Sequence, residues 1–191
     1  MTTVTELLEG VARHKLSVDD FHRMAEAGIL KYEDRVELIE GEIIDMTPIG
    51  SGHAGKTNRF AFVFARAAME GLAVVSIQNP LRLDLYNEPE PDVMLLRPRK
   101  DFYETSHPTA ADVLLLVEVA DTSLAFDRGL KLALYARHRI PEIWIVNIPG
   151  ATTEIYRAPT EQGYSSKADL TKGTVSPELL PSLIVNSEDL F

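Results

Sequence analysis

The stretch that decides the fold reads Pro91-Asp92-Val93-Met94-Leu95-Leu96, then Val113-Leu114-Leu115-Leu116-Val117-Glu118-Val119, then Asp127-Arg128-Gly129-Leu130-Lys131. Residues 92–96 read as a short apolar strand. Residues 113–119 are almost wholly apolar, as in a central strand covered on both faces. Residues 126–139 read as a helix stopped by Pro141, and residues 142–148 as another buried strand. Strand, helix and strand in this order argue for a mixed α/β sheet.

Two acids stand out in that stretch. Asp92 opens one strand. Glu118 follows five apolar residues of the next, where a charge is costly unless it is paired or metal-bound. In open α/β sheets, ligand sites gather at the carboxyl ends of strands, which suits Glu118. Two carboxylates on separate strands can hold a hard divalent cation such as Mg²⁺, which takes one or two carboxylates plus water and substrate phosphate. A nearby Lys131 can place the attacking water and offset phosphate charge, an arrangement suited to cutting a phosphodiester. Taken singly, each residue has a plainer reading: Asp92 as a solvent-facing strand start, Glu118 as a partner of a structural base, Lys131 as part of a solvated face paired with Asp127. Together they point to a site. Asp127, Arg128, Lys131 and Tyr135 share one helix face by their three- and four-residue spacing. Leu130 and Leu134 form an adjoining stripe for packing on the sheet.

These residues resemble the PD-(D/E)xK nuclease superfamily, with its restriction-endonuclease-like fold. Its usual motif places lysine two residues after the second acid, and here that position is Ala120. The chain is more similar to a bacterial restriction-endonuclease-like family, formerly a domain of unknown function, in which the lysine has moved to the following helix. The matching segments are residues 37–42 (Glu37-Leu38-Ile39-Glu40-Gly41-Glu42), Pro91-Asp92-Val93, Val117-Glu118-Val119, Asp127 through Lys131 to Tyr135, and residues 140–146. The resemblance implies a central mixed sheet flanked by helices. It implies Asp92 and Glu118 as ligands of Mg²⁺ or Mn²⁺, Lys131 beside the attacking water, and Glu37 as an auxiliary acid. Glu40 is an alternative for that last part and Glu42 a weaker one. DNA is the implied substrate, and a twofold homodimer would suit cutting both strands. Tyr135 and Arg128 are candidates to touch phosphate or support Lys131. Asp121, in Ala120-Asp121-Thr122, reads as an additional ligand or a helix cap.

The rest of the chain sets bounds. At 191 residues it suits a single domain, 1–191, with the resemblance covering about residues 17–157. It has no cysteine, which excludes disulfides and thiolate metal sites and fits a cytoplasmic setting. Residues 1–10 carry no secretory pattern, and no apolar run approaches the roughly 20 residues of a membrane span. The net charge of −10 opposes nucleic-acid binding, offset by residues 128–139, which hold four Lys/Arg and no acid.

Outward from the core, Ser17-Val18-Asp19-Asp20 reads as a capping box opening a helix that ends at Gly28. Residues 36–46 read as a hairpin broken at Glu40-Gly41, and 53–70 as a helix stopped by Gly71. Residues 74–78, 81–85 and 153–157 read as strands, and the tail from 164 as short strands and turns. Two further function classes compete. One is a catalytically silent nuclease fold that binds nucleic acid or regulates. The other is a nucleotide-binding hydrolase, suggested by Gly50-Ser51-Gly52-His53-Ala54-Gly55-Lys56-Thr57, although a phosphate-binding loop should leave a buried strand and residues 46–49 make a poor one. His53 reads first as a capping or packing residue, and second as a group that could touch phosphate.

Overall fold

The structure, a computed structural model, describes residues 13–31 and 33–191, so the reading of residues 1–10 lies outside the described residues. Helix α1 (Val18–Glu26) opens on the capping box: Ser17 Oγ accepts from Asp20 N, and the Asp20 carboxylate accepts from Ser17 N. Strands β1 (Val36–Ile39) and β2 (Glu42–Asp45) form the hairpin. Its two turn residues, Glu40 and Gly41, both have positive φ, as a tight two-residue hairpin requires. Gly41 is also needed for space, since a Cβ there would lie 2.6 Å from Lys15 Cβ.

Helix α2 (Ser51–Met69) then leads into a six-stranded sheet. The strands are β3 (Val74–Ile77), β4 (Val93–Leu96), β5 (Val113–Ala120), β6 (Glu142–Asn147), β7 (Thr152–Thr160) and β8 (Gly163–Leu170), in that spatial order. All pairings are antiparallel except β5–β6, which is parallel and spans the crossover helix. That helix runs Leu124–Phe126, a π-helical turn Asp127–Lys131, then Leu132–Arg137. A two-residue pair, β9 (Thr174–Val175) with β10 (Val185–Asn186), closes the chain.

Because strand side chains alternate, the sheet feeds two cores. On the α2 side, Val93, Leu95, Leu115, Val117, Trp144 and Val146 pack against Phe60 and Phe64. Leu180, Leu183, Val185 and Leu190 from the tail complete that layer. On the other side, Met94, Leu96, Leu116, Ile143 and Ile145 pack with Tyr135 of the crossover helix. Asp92 and Glu118 have the parity of this second face, at the end where β4 begins and β5 finishes.

Four expectations are corrected. Residues 81–85 are not a strand. Asp84 Oδ1 accepts from Tyr86 N and Asn87 Nδ2, curling the segment so that Leu83 N donates to Asn87 O, and only Arg82 bridges, to Thr109. Leu130 is 41% exposed rather than packed on the sheet, because the π turn changes the helical phase there. The basic run 128–139 is not a free cationic face: Arg128 pairs with Glu154, Lys131 with Glu37 and Glu118, Arg137 with Glu40, and Arg139 donates to Pro159 O. The segment after Tyr164 includes most of an eight-residue strand, β8, held along β7. Among the described residues, no helix is long and apolar enough to cross a membrane.

Candidate active site

The antiparallel register pairs Val93 with Val117, so one step further sets Asp92 opposite Glu118. Both acids open onto a cleft of about 460 Å³ that Glu37, His53, Glu90, Asp127, Lys131 and Arg35 also line. Five separate elements or their flanks thus converge there: β1, α2, the start of β4, the end of β5 and the crossover helix.

Lys131 is the hub. Its Nζ lies 3.0 Å from Glu37 Oε2 and 3.3 Å from Glu118 Oε1, with all three side chains buried. The π turn that contains it is a recurrent feature of functional sites; here Asp127, Lys131 and Tyr135 are all buried on the sheet side. Tyr135 donates to Glu118 Oε1 at 2.6 Å, and Ser123 donates to Asp127 Oδ2 at 2.6 Å. Glu37 Oε2 also accepts from Glu90 N. The second oxygen of Glu118 takes part in none of these bonds.

Asp92 is held from three sides. Val119 N donates to its Oδ2 at 2.8 Å, His53 Nε2 meets the same oxygen at 3.1 Å, and Gln78 Nε2 donates to Oδ1 at 3.2 Å. Gln78 adopts φ 48°, a left-handed conformation costly for a residue with a side chain, and its N donates to Asp92 O. His53 Nδ1 is buried and has no hydrogen-bond partner among the described residues.

One ammonium faces an excess of carboxylates, and the ionisations show it. Burial pushes Glu118 up to about 8; Lys131 and the Tyr135 hydroxyl oppose this, while Asp127 and Asp92 add to it. Asp127 and Glu90 are likewise raised, chiefly by burial. Burial alone would lower Lys131, but Glu118, Glu37 and Asp127 outweigh it and hold the ammonium firmly charged. His53 is raised by its bond to Asp92.

The structure thus brings Glu37, Asp92, Glu118 and Lys131 into one cleft. It separates the alternatives for the auxiliary acid. Glu40 lies on the surface with Lys15 and Arg137, and Glu42 pairs with Arg13. Arg128 turns away to Glu154, whereas Tyr135 turns inward to Glu118. Asp121 sits exposed at the lip of the cleft, and the helix cap is Ser123. Residues 51–57 are the first turns of α2, not a phosphate-cradling loop, and Lys56 lies over the Phe191 ring. Sequence reasoning undervalued His53 and passed over Arg35, Gln78 and Glu90. The signals were present: a turn at Gln78-Asn79-Pro80, and an acid between the two prolines of Pro89-Glu90-Pro91.

A mixed sheet bearing two strand-end acids and a helix-borne lysine defines a nuclease-type fold. Residues 18–187 match the Uma2 family profile, described as "Putative restriction endonuclease", and the chain belongs to that family. A crystal structure described as "a putative nuclease belonging to DUF820" from Anabaena variabilis ATCC 29413 superposes with a TM-score of 0.73 at 16% identity, covering 92% of this chain and 97% of that one. That likeness is one of fold. None of the curated proteins matches the chain.

Proposed function

We propose that this nuclease-family chain is a divalent-cation-dependent endonuclease that hydrolyses DNA phosphodiester bonds. The observation that carries the reading is the meeting of Asp92, Glu118 and Lys131 at the carboxyl end of β5, inside a cleft. The donor set fits a hard ion. Asp92 and Glu118 lie opposite each other across β4 and β5 in one cleft, and Lys131 and Tyr135 both engage Glu118 through Oε1 only, so two carboxylates could bind the ion while water and phosphate oxygens fill its other positions. The excess of acids over cations around Glu118 also favours an added positive charge.

Asp92 and Glu118 would hold Mg²⁺ or Mn²⁺. When bound, the ion supplies charge against the scissile phosphate and lowers the pKa of the attacking water. Lys131, kept charged, donates to that water or to a phosphate oxygen and offsets charge as the fifth bond forms. Glu37 anchors Lys131 from the far side, so the ammonium stays aimed at Glu118. Tyr135 fixes the Glu118 carboxylate, while Gln78, His53 and Val119 N fix Asp92. Arg35 lines the cleft and makes no ion pair among the described residues, which leaves it for a phosphate.

The test is incubation of the purified chain with supercoiled, linear and single-stranded DNA in Mg²⁺ or Mn²⁺, beside Asp92→Ala, with calorimetric metal titration of both. Metal-dependent cutting lost in the variant supports the reading. Metal binding without cutting of any substrate would leave a silent nuclease fold, and no metal binding would remove the site assignment.

A further inference from the structure

The outward face of α2 carries an apolar stripe that none of the described residues covers. Phe60, Phe64 and Ala67 point into the core, and opposite them Phe62 and Met69 are 83% and 82% exposed. Phe62 and Met69 stand one heptad apart on the same side of the helix, with Ala65 between them. Ile184, 64% exposed, extends the patch from the tail segment, and Arg59, Arg66 and Asp189 line the shallow groove between them. Apolar residues exposed together in this way mark an interaction surface.

We propose that this face binds a second copy of the same chain, with the two α2 helices antiparallel across a twofold axis beside Ala65. The charge pattern selects that occupant. Arg59 makes no ion pair among the described residues, while Arg66 is paired with Glu70 at 2.8 Å within the chain. Arg59 and Glu70 lie on the same flank of the stripe, on opposite sides of Ala65 and at nearly equal distance from it along the helix. An antiparallel twofold therefore sets Arg59 of each copy beside Glu70 of the other, and Phe62 of each against Met69 of the other around the small Ala65. Each Arg66 near the axis already has its own Glu70. The face carries Arg59 and Arg66 against Glu70 and Asp189, so it is locally neutral. Two chains of net charge −10 can meet there without bringing their acidic surfaces together.

The test is the solution mass by light scattering, from dilute to concentrated protein, with no metal or DNA. The expected mass is twice the 21.2 kDa of the chain. Phe62→Glu with Met69→Glu should give the single-chain mass with unchanged circular dichroism, since both side chains point away from the core. Arg59→Glu alone and Glu70→Arg alone should each weaken association, and the two together should restore it. A wild-type protein that stays monomeric when concentrated overturns the proposal and leaves the face to a different partner. So does a dimer untouched by the Phe62/Met69 pair. Failure of the charge exchange to rescue overturns the antiparallel register. None of these readouts depends on nuclease activity.

Discussion

Lys131 reaches Glu118 from a different element, Nζ to Oε1 at 3.3 Å, across the carboxyl end of β5. The position two residues after Glu118 is the buried Ala120, which packs in the crossover-helix core and has no charge to offer. The ammonium arrives instead from the π turn, where Asp127 and Tyr135 are buried beside it. A long flexible stem lets a lysine on an adjacent helix serve the same point in space.

Removing that ammonium should separate chemistry from ion binding. Lys131→Met is expected to abolish DNA cleavage while metal titration still shows binding, because Asp92 and Glu118 remain. The variant should lose about 3 kcal/mol in urea unfolding, since the Glu37 carboxylate is left buried without its counter-charge. Normal cleavage by Lys131→Met would end the displaced-lysine reading.

Arg128 provides the contrast on the same helix. Its guanidinium pairs with Glu154 on β7, away from the cleft. Arg128→Ala should cut DNA at the wild-type rate and lose about 1 kcal/mol of stability, limited because Arg128 is partly solvated and Lys167 remains 3.6 Å from Glu154. A rate loss comparable to that of Lys131→Met would show that the cleft extends to this face.

The core strands and the helix that crosses between β5 and β6 were legible because each apolar run is bounded by Gly, Pro or a cap. The central acids were legible because charge beside an apolar run demands an explanation. The placement of Arg128 was not, because regular helical spacing groups it with Lys131, and only the π turn separates them. The residues fixing Asp92 were hidden for a related reason: His53 and Gln78 come from α2 and the end of β3, and only the folded sheet brings them to β4. The strand expected at residues 81–85 failed because alternating apolar residues carry no sign of the Asp84 turn that bends them.

Glu142 shows that a buried acid in this fold need not belong to the cleft. It is fully buried on β6, where Trp144 Nε1 and Arg157 donate to Oε1 and Glu178 N donates to Oε2. Glu142→Ala strands those donors and is expected to cost about 3 kcal/mol or more in chemical unfolding. Metal affinity per folded molecule should be unchanged. A selective loss of metal binding in folded Glu142→Ala would contradict this structural role.

Glu118 should make the protein less stable as pH rises, the reverse of an ordinary surface-paired carboxylate. Burial raises its folded value from 4.5 to about 8, so the folded state holds this proton more tightly than the unfolded chain does. The stabilisation is complete below the unfolded value and is lost as pH rises through the window up to about 8. Glu118→Gln removes that titration while keeping a group able to accept the Tyr135 hydroxyl. Its melting temperature relative to wild type should therefore climb between about pH 5 and 8, even as cleavage disappears. Metal needs the ionised carboxylate, so wild-type affinity for Mn²⁺ should rise over the same window with proton release, and Glu118→Gln should bind weakly at every pH. A constant difference in melting temperature from pH 5 to 8 would mean that Glu118 is already ionised at the lower end, with Lys131 outweighing burial.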